Sequence, residues 1–204
     1  MKILLIGASG TLGQKVAATL SSAGHQLVRI GRKSGDELAD FADPKGLTAL
    51  YEKLKPFDAV AIAAGDVAFG PLAGISREQW QFSFNSKLLG QISAVLQALP
   101  YISDGGSFTL IGGIFGEEPV PMAAAASTVN RALEGFVLAA AIELPRGLRI
   151  NLVSPTVLEE SMAQFADVVP GMIPVPAATV AQAYKRSIMG AHTGQNYRVG
   201  ASLR

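Results

Sequence analysis

The sequence predicts an α/β fold, a doubly wound parallel sheet of seven strands with helices on both faces, built as a single domain over residues 1–204. Three observations carry this. Short apolar runs alternate with stretches of helical period from one end of the chain to the other. The first run, Lys2-Ile3-Leu4-Leu5-Ile6, stops at Gly7-Ala8-Ser9-Gly10-Thr11-Leu12-Gly13, where glycine falls at every third position before a helix begins. Hydrophobic residues make up 49% of the chain, so most elements are expected to be covered on both sides.

The strand–glycine turn–helix unit is the context that makes a glycine triplet informative. Gly7 permits the tight turn, Gly10 lets a diphosphate approach the backbone, and Gly13 lets the helix pack close to the strand. Unpaired N–H groups of the first helical turn then face the phosphates. The helix continues through Val16-Ala17-Ala18-Thr19-Leu20 and stops at Gly24. His25 to Ile30 reads as the second strand, ending at Gly31-Arg32-Lys33-Ser34. Where NAD-binding chains of this kind carry an acidic residue for the ribose 2′-hydroxyl, Arg32 and Lys33 stand instead. They form either a solvated basic turn or a site for a 2′-phosphate, and the second reading predicts NADP over NAD.

Leu38 to Pro44 reads as a short third strand running into a helix, with Asp43 as cap and Pro44 at its first position. Leu47, Leu50, Tyr51 and Leu54 give that helix its apolar stripe. Asp58 to Ala64 is a fourth buried strand, and its small end at Ala63-Ala64-Gly65 allows a ligand to lie close to the backbone. After a loop from Asp66 to Ile75, Ser76 opens a long helix with Trp80, Phe84, Leu88, Ile92, Val95, Leu96 and Leu99 as its apolar positions. Asn85 sits among them, in a buried or water-bridging role or merely tolerated.

Gly106 to Ile111 is the fifth strand, ending at Gly112-Gly113, and a loop runs to Pro121. Met122 to Leu144 is an Ala-rich helix, apolar on most of its circumference. Such a helix has to be covered nearly all round, which predicts a homo-oligomer, a homodimer or homotetramer. Gly147 to Val153 is the sixth strand, ending at Ser154-Pro155. Residues 156–176, broken by Pro170, Pro174 and Pro176, form a substrate-side loop with at most one short helix. Ala178 to Met189 is the last helix and Gln195 to Val199 the seventh strand.

Composition narrows the function. The 17 basic and 16 acidic residues nearly cancel, so bulk charge attracts neither nucleic acid nor an anionic membrane. With no cysteine there is no disulfide, thiolate nucleophile or thiolate metal site, and no metal is expected. His25 and His192 lie in turn-like contexts and are expected at the surface. No apolar stretch is long enough for a signal peptide or a membrane span, so a soluble cytoplasmic protein is expected.

Taken over nearly its full length, the chain resembles a short-chain dehydrogenase/reductase. Gly7-Ala8-Ser9-Gly10-Thr11-Leu12-Gly13 stands in place of the family's glycine-rich cofactor motif, in an atypical spacing. Arg32 stands where NADP-preferring members carry arginine, and Asp40 in place of the adenine-contacting aspartate. Ala63-Ala64-Gly65 matches the Asn-Asn-Ala-Gly strand end with both asparagines replaced. Asn85 aligns with the family's helix asparagine. Leu148-Arg149-Ile150-Asn151-Leu152-Val153-Ser154-Pro155 is close to the strand before the nicotinamide contact, and Thr193-Gly194-Gln195 to the C-terminal Thr-Gly-Gln turn. The resemblance implies an NAD(P)-binding Rossmann fold, NADP as cofactor and a small-molecule substrate. The implied cofactor contacts are Gly7, Ser9, Gly10, Thr11, Leu12, Gly13, Arg32, Lys33, Asp40, Ala63, Ala64, Gly65 and Pro155.

The resemblance breaks at the chemistry. The family uses a tyrosine as general acid/base, a lysine four residues later and a serine about a dozen residues before. Arg131-Ala132-Leu133-Glu134-Gly135-Phe136 sets the register of the catalytic helix, which puts Ala126 at the tyrosine position, Asn130 at the lysine position and Gly113 at the serine position. Of the catalytic set only Asn85 remains, and Asn130 stands in the lysine's place, able to hydrogen-bond a ribose hydroxyl but with no charge to lend. Glu117, Glu118, Glu159 and Glu160 lie in the loops flanking the expected cleft, either as substitute acids or as solvated carboxylates. Two functions compete: an NADP-dependent oxidoreductase with a degenerate site, acting on a small carbonyl or alcohol, and a non-catalytic NADP(H)-binding sensor or regulatory subunit.

Overall fold

The computed structural model describes residues 1–200. The apolar run Lys2–Ile6 forms β1, paired in parallel with β2 (Gln26–Gly31) on one side and β4 (Phe57–Ile62) on the other. With β3 (Glu37–Leu38), β5 (Ile102–Ile111), β6 (Arg149–Pro155) and β7 (Asn196–Val199), the seven strands form one parallel sheet in the order β3-β2-β1-β4-β5-β6-β7. The expected sheet is therefore present, and its order reverses between β1 and β4.

Alternation along β1 sends its side chains into two separate cores. Ile3 and Leu5 join the core under α1 (Thr11–Ser22) and α6 (Ala177–Met189), through Leu12, Val16, Leu20, Val180, Tyr184 and Ile188. Leu4 and Ile6 join the core on the opposite face, under α2 (Pro44–Leu54), α4 (Gly90–Ala98) and α5 (Ala124–Glu143). Each fully buried Leu, Ile or Val contributes roughly 1.5–3 kcal/mol.

Polar pairing fixes how α6 lies on the sheet. The buried Tyr184 hydroxyl donates to the Ile62 carbonyl at 2.6 Å, and Ser187 bonds Thr109 at 2.7 Å. Arg149 on β6 donates to the Ser187 and Ile188 carbonyls at the end of α6. Asn151 donates to the His192 carbonyl and accepts from the Gln195 N–H, while the Ile150 N–H donates to the Thr193 hydroxyl. The Thr193-Gly194-Gln195 turn is thus stitched to β6.

Local signals worked as their chemistry requires. Asp43 accepts from the Lys45 N–H with Pro44 at the first helical position, and Ser76 and Gln79 form a reciprocal cap. Four readings change. The third strand shrinks to Glu37–Leu38, because the chain leaves the sheet edge where the Asp40 carboxylate takes the Ala42 N–H. The fifth strand starts earlier, at Ile102, with an irregular register opposite Phe57–Ala59. The long helix is not continuous: α3 (Arg77–Ser83) passes into a π-helical turn, Phe84–Leu89, before α4. Its buried face runs through Ser83, Lys87, Gln91, Ala94, Val95 and Ala98, leaving Leu96 half exposed. His25 is half-buried rather than a surface residue, whereas His192 is exposed.

A Cβ added at Gly13 would stand 2.0 Å from the Gly7 carbonyl oxygen, a contact that only backbone displacement relieves. Gly13→Ala should cost at least about 2 kcal/mol, read as a lower urea midpoint. Gly74→Ala, where an added Cβ meets nothing within 4 Å, should stay within about 0.5 kcal/mol of the parent.

Candidate functional site

The reversal of strand order between β1 and β4 leaves a crevice at the carboxyl ends of the strands, where ligands bind in open parallel sheets. Two adjoining cavities occupy it, sharing Ala63, Ala64, Gly65 and Asp66 as a common wall. The first, of about 570 Å³, runs over Gly7, Ser9 and Gly10 to Arg32, Lys33 and Asp40. The second, of about 460 Å³, lies between the ends of β4, β5 and β6 and is lined by Lys87, Gly112, Gly113, Ala126, Asn130 and Pro155 among others.

The first cavity is shaped for a phosphate. Gly10 caps α1 without any side-chain acceptor, and the first turn of α1 carries no acidic residue. The N–H groups of that turn therefore have no side chain competing for them. An added Cβ at Gly10 would meet nothing closer than the Gly7 oxygen at 3.5 Å, so the space beside it is open. Thr11, Leu12 and Gly13 form the first turn of α1 and do not line the cavity; Leu12 and Gly13 are buried against the sheet. Arg32 and Lys33 are exposed at the far end. Arg32 pairs with Asp66 at 3.4 Å, and with both side chains about 60% exposed the pair is worth roughly 0–1 kcal/mol. A phosphate dianion would compete for that guanidinium with little penalty.

Asn85 is not buried: it is exposed and lines the first cavity, beside Phe82 and Ser86. The physical reason is the π-turn, whose neighbouring serines are tied to the loop after β4. Ser86 accepts from the Asp66 N–H and Ser83 from the Ala68 N–H. This arrangement turns Lys87 into the second cavity instead.

Lys87 escaped the sequence reading. The signal available was its spacing, four residues after Ser83 and four before Gln91, on what proved to be the buried face. Larger apolar residues one position along, Phe84 and Leu88, drew the stripe away from it. Its stem lies flat on Gly65, where an added Cβ would meet Lys87 Cγ at 2.8 Å. The Nζ donates to the Gly112 carbonyl at 2.8 Å. Gln91, fully buried, holds the frame: its amide donates to the Lys87 and Ile111 carbonyls and accepts from the Ile111 N–H. Burial pushes the Lys87 ammonium down to about 8, against the opposing pull of Asp66.

Asn130 reaches the same cavity from α5. It is 5% exposed, and its Oδ1 has no hydrogen-bond partner, which costs free energy unless a ligand or water supplies a donor. A Cβ at Gly113 would lie 2.9 Å from Asn130 Nδ2, so the amide occupies space that a side chain at 113 would need. Ala126 is buried in the same lining. No tyrosine lines either cavity. Tyr51 and Tyr184 are buried in the two cores, where burial pushes both hydroxyls upward, away from acid–base work near neutrality. Phe69, Phe115 and Phe165 form an aromatic wall, Phe69 and Phe165 edge-on with ring centres 5.4 Å apart.

Two of the four loop carboxylates have identified partners. Glu117 binds Arg198 through both oxygens, and Glu160 accepts from the Ala177 N–H at the start of α6. Neither they nor Glu118 and Glu159 line the cleft cavities. Among the described residues, no group of three His, Asp or Glu side chains gathers as a metal site, and no helix is long and apolar enough to cross a membrane.

Comparison with known proteins agrees with this architecture. Residues 40–181 match the model of the enoyl-(acyl carrier protein) reductase family. The solved protein lin1944 from Listeria innocua is 44% identical, with a TM-score of 0.95 over 98% of this chain and 99% of its own. Elsinochrome reductase 1 from Elsinoe fawcettii is 26% identical over 186 residues, spanning 79% of this chain and 70% of that protein. A small-chain dehydrogenase solved in complex with NADPH shares the fold at 22% identity, with a TM-score of 0.88 over 98% of this chain and 96% of its own. With well over half its length matched by that family model, the chain belongs to the short-chain dehydrogenase/reductase family of oxidoreductases.

Proposed function

We propose that this chain binds NADP(H) along the two-part cleft and transfers hydride to or from a small carbonyl or alcohol substrate in the second cavity. The observation that carries the reading is the continuity of the cleft. A phosphate-ready helix start and a basic pair at Arg32 and Lys33 lie at one end, and a largely apolar pocket with a buried cation and an unpaired amide oxygen lies at the other.

Gly7, Ser9 and Gly10 would cradle the diphosphate and Arg32 with Lys33 would hold the 2′-phosphate. Asp40 would face the adenine end, and Ala63, Ala64 and Gly65 would let the ring systems pass close to the backbone. The cofactor, when bound, supplies the hydride chemistry. The chain supplies orientation, exclusion of water by the apolar wall, and polar groups at the deep end. Pro155 and Asn130 line the second cavity, where the reacting end of the cofactor would meet the substrate. Asn130 presents its free Oδ1 for a hydroxyl or amide donor on either ligand.

A second reading, a sensor or regulatory subunit that binds NADP(H) without turnover, is favoured by one observation. Neither cavity has a tyrosine in its lining, and Ala126, Gly113 and Asn130 occupy the wall instead.

Thermal melts with each dinucleotide check the cofactor. At ~100 times the dissociation constant, NADPH should stabilise the fold by about 2.7 kcal/mol, a shift of roughly 5–10 °C, while NADH shifts it less. Arg32→Ala should abolish most of that difference. No shift with either at millimolar ligand would remove the reading. NADPH oxidation with a panel of carbonyl compounds then separates the two functions: rates equal to the enzyme-free blank across the panel would leave only the sensor.

We further propose a homodimer or homotetramer. Leu138 and Ile142 on α5 and Leu96 on α4 are 50–87% exposed, apolar surface that a second copy would cover. Sedimentation at micromolar protein should give a multiple of the 21.2 kDa chain mass, and a monomer would reject this.

A further inference from the structure

We propose that Lys87 is the proton donor of this site, and that the substrate it serves is a carbonyl compound with an aromatic or bulky apolar body. The inference rests on the reading of the cleft as an oxidoreductase site. It makes a π-turn lysine, rather than a residue of α5, the acid of the reaction.

The geometry leaves few other candidates. Among the described residues, Asp66 and Lys87 are the only ionisable side chains in the lining of the second cavity. Asp66 lies at the open mouth, about 60% exposed and paired with Arg32, and its charge acts on Lys87. Lys87 is buried. Its backbone carbonyl is gripped by Gln91 and its stem lies on Gly65, so the ammonium is aimed by packing rather than by its own flexible chain. One N–H is spent on the Gly112 carbonyl, and an ammonium has three. Two remain for a substrate oxygen. A lysine kept only to satisfy one strand-end carbonyl would be a poor choice, since burying an ammonium is costly and a neutral donor would serve.

The step balances as follows. The carbonyl carbon accepts hydride, a proton with two electrons, from a bound dihydronicotinamide. The C=O π pair moves onto oxygen, and that oxygen takes a proton as a Lys87 N–H bond breaks. The products are the alcohol, the oxidised nicotinamide and a neutral Lys87 amine, which regains its proton from solvent. In reverse, the neutral amine accepts the alcohol proton. Phe69, Phe115 and Phe165 form the apolar wall of the same cavity, which fits an aryl or bulky alkyl group beside the carbonyl.

A pH dependence follows, and its sign is fixed. Lysine is the acid only while protonated. With burial lowering its ionisation from the ordinary 10.5 to about 8, carbonyl reduction should hold below pH 8 and fall about tenfold per unit above it. Alcohol oxidation should rise through the same range.

The test compares wild type, Lys87→Met and Lys87→Arg. In the unliganded wild type, lysine labelled with ¹³C at Cε should show a Lys87 resonance titrating near pH 8 that is missing from both variants. NADPH should still raise the melting temperature of all three, reporting that the fold and the dinucleotide contacts in the first cavity survive the substitution. With aryl ketones, Lys87→Met should lose about 10²–10⁴ in kcat/KM and the alkaline limb with it. Lys87→Arg keeps the charge but cannot release a proton near neutrality, and should remain impaired. Titration of Lys87 near its ordinary 10.5, or a Lys87→Met rate equal to wild type, overturns the assignment alone. Failure of wild type to bind NADPH overturns the oxidoreductase reading and the lysine's role together.

Discussion

Gln91 holds the deep end of the cleft in place. A buried primary amide must find partners for both its donors and its acceptor, or it costs more than an apolar residue of the same size. Gln91 finds all three, on Ile111 and on the Lys87 carbonyl. That satisfies the amide and ties it to the carbonyl of Lys87. It also fixes the distance between the helix and the end of β5. Lys87 reaches Gly112 because of that distance, and Gly65 has to be a glycine because the lysine stem then lies against its Cα. The cavity wall is a consequence of this one amide more than of any residue that faces a ligand.

Much of the fold was legible because its signals are local. Lys2–Ile6 ends at a glycine turn, Asp43 and Pro44 open a helix, and the Arg149-Ile150-Asn151 strand carries the groups that hold the 193–195 turn. These depend on neighbours in sequence or on a residue type with a narrow set of uses. The site was less legible. Asn85 and Lys87 are two residues apart, and an extra residue in the turn decides which of them faces the second cavity. Side-chain size pulled the predicted stripe onto Phe84 and Leu88, while the packed face is built of small and polar residues. Periodicity assumes a constant 3.6 residues per turn, and here the helix departs from it at the point that matters most. The glycine motif likewise marked the phosphate end without revealing that Leu12 and Gly13 are buried against the sheet.

The parallel seven-stranded fold is shared with a solved dehydrogenase of 22% identity. Fold alone assigns no reaction. The chemistry has to be read from one cavity, which holds an alanine at 126, an unpaired amide oxygen at 130, no side chain at 113, and a desolvated lysine arriving from the neighbouring helix.

The clasp between Gly113 and Asn130 constrains how such a cavity changes over generations. The amide fills the space that a side chain at 113 would enter, and the missing side chain is what lets the amide sit there. The two positions are coupled through the far end of a flexible side chain, so a residue larger than glycine at 113 asks the Asn130 amide to turn aside rather than the backbone to move. Such a change would reshape this wall of the cavity and leave the fold around it intact.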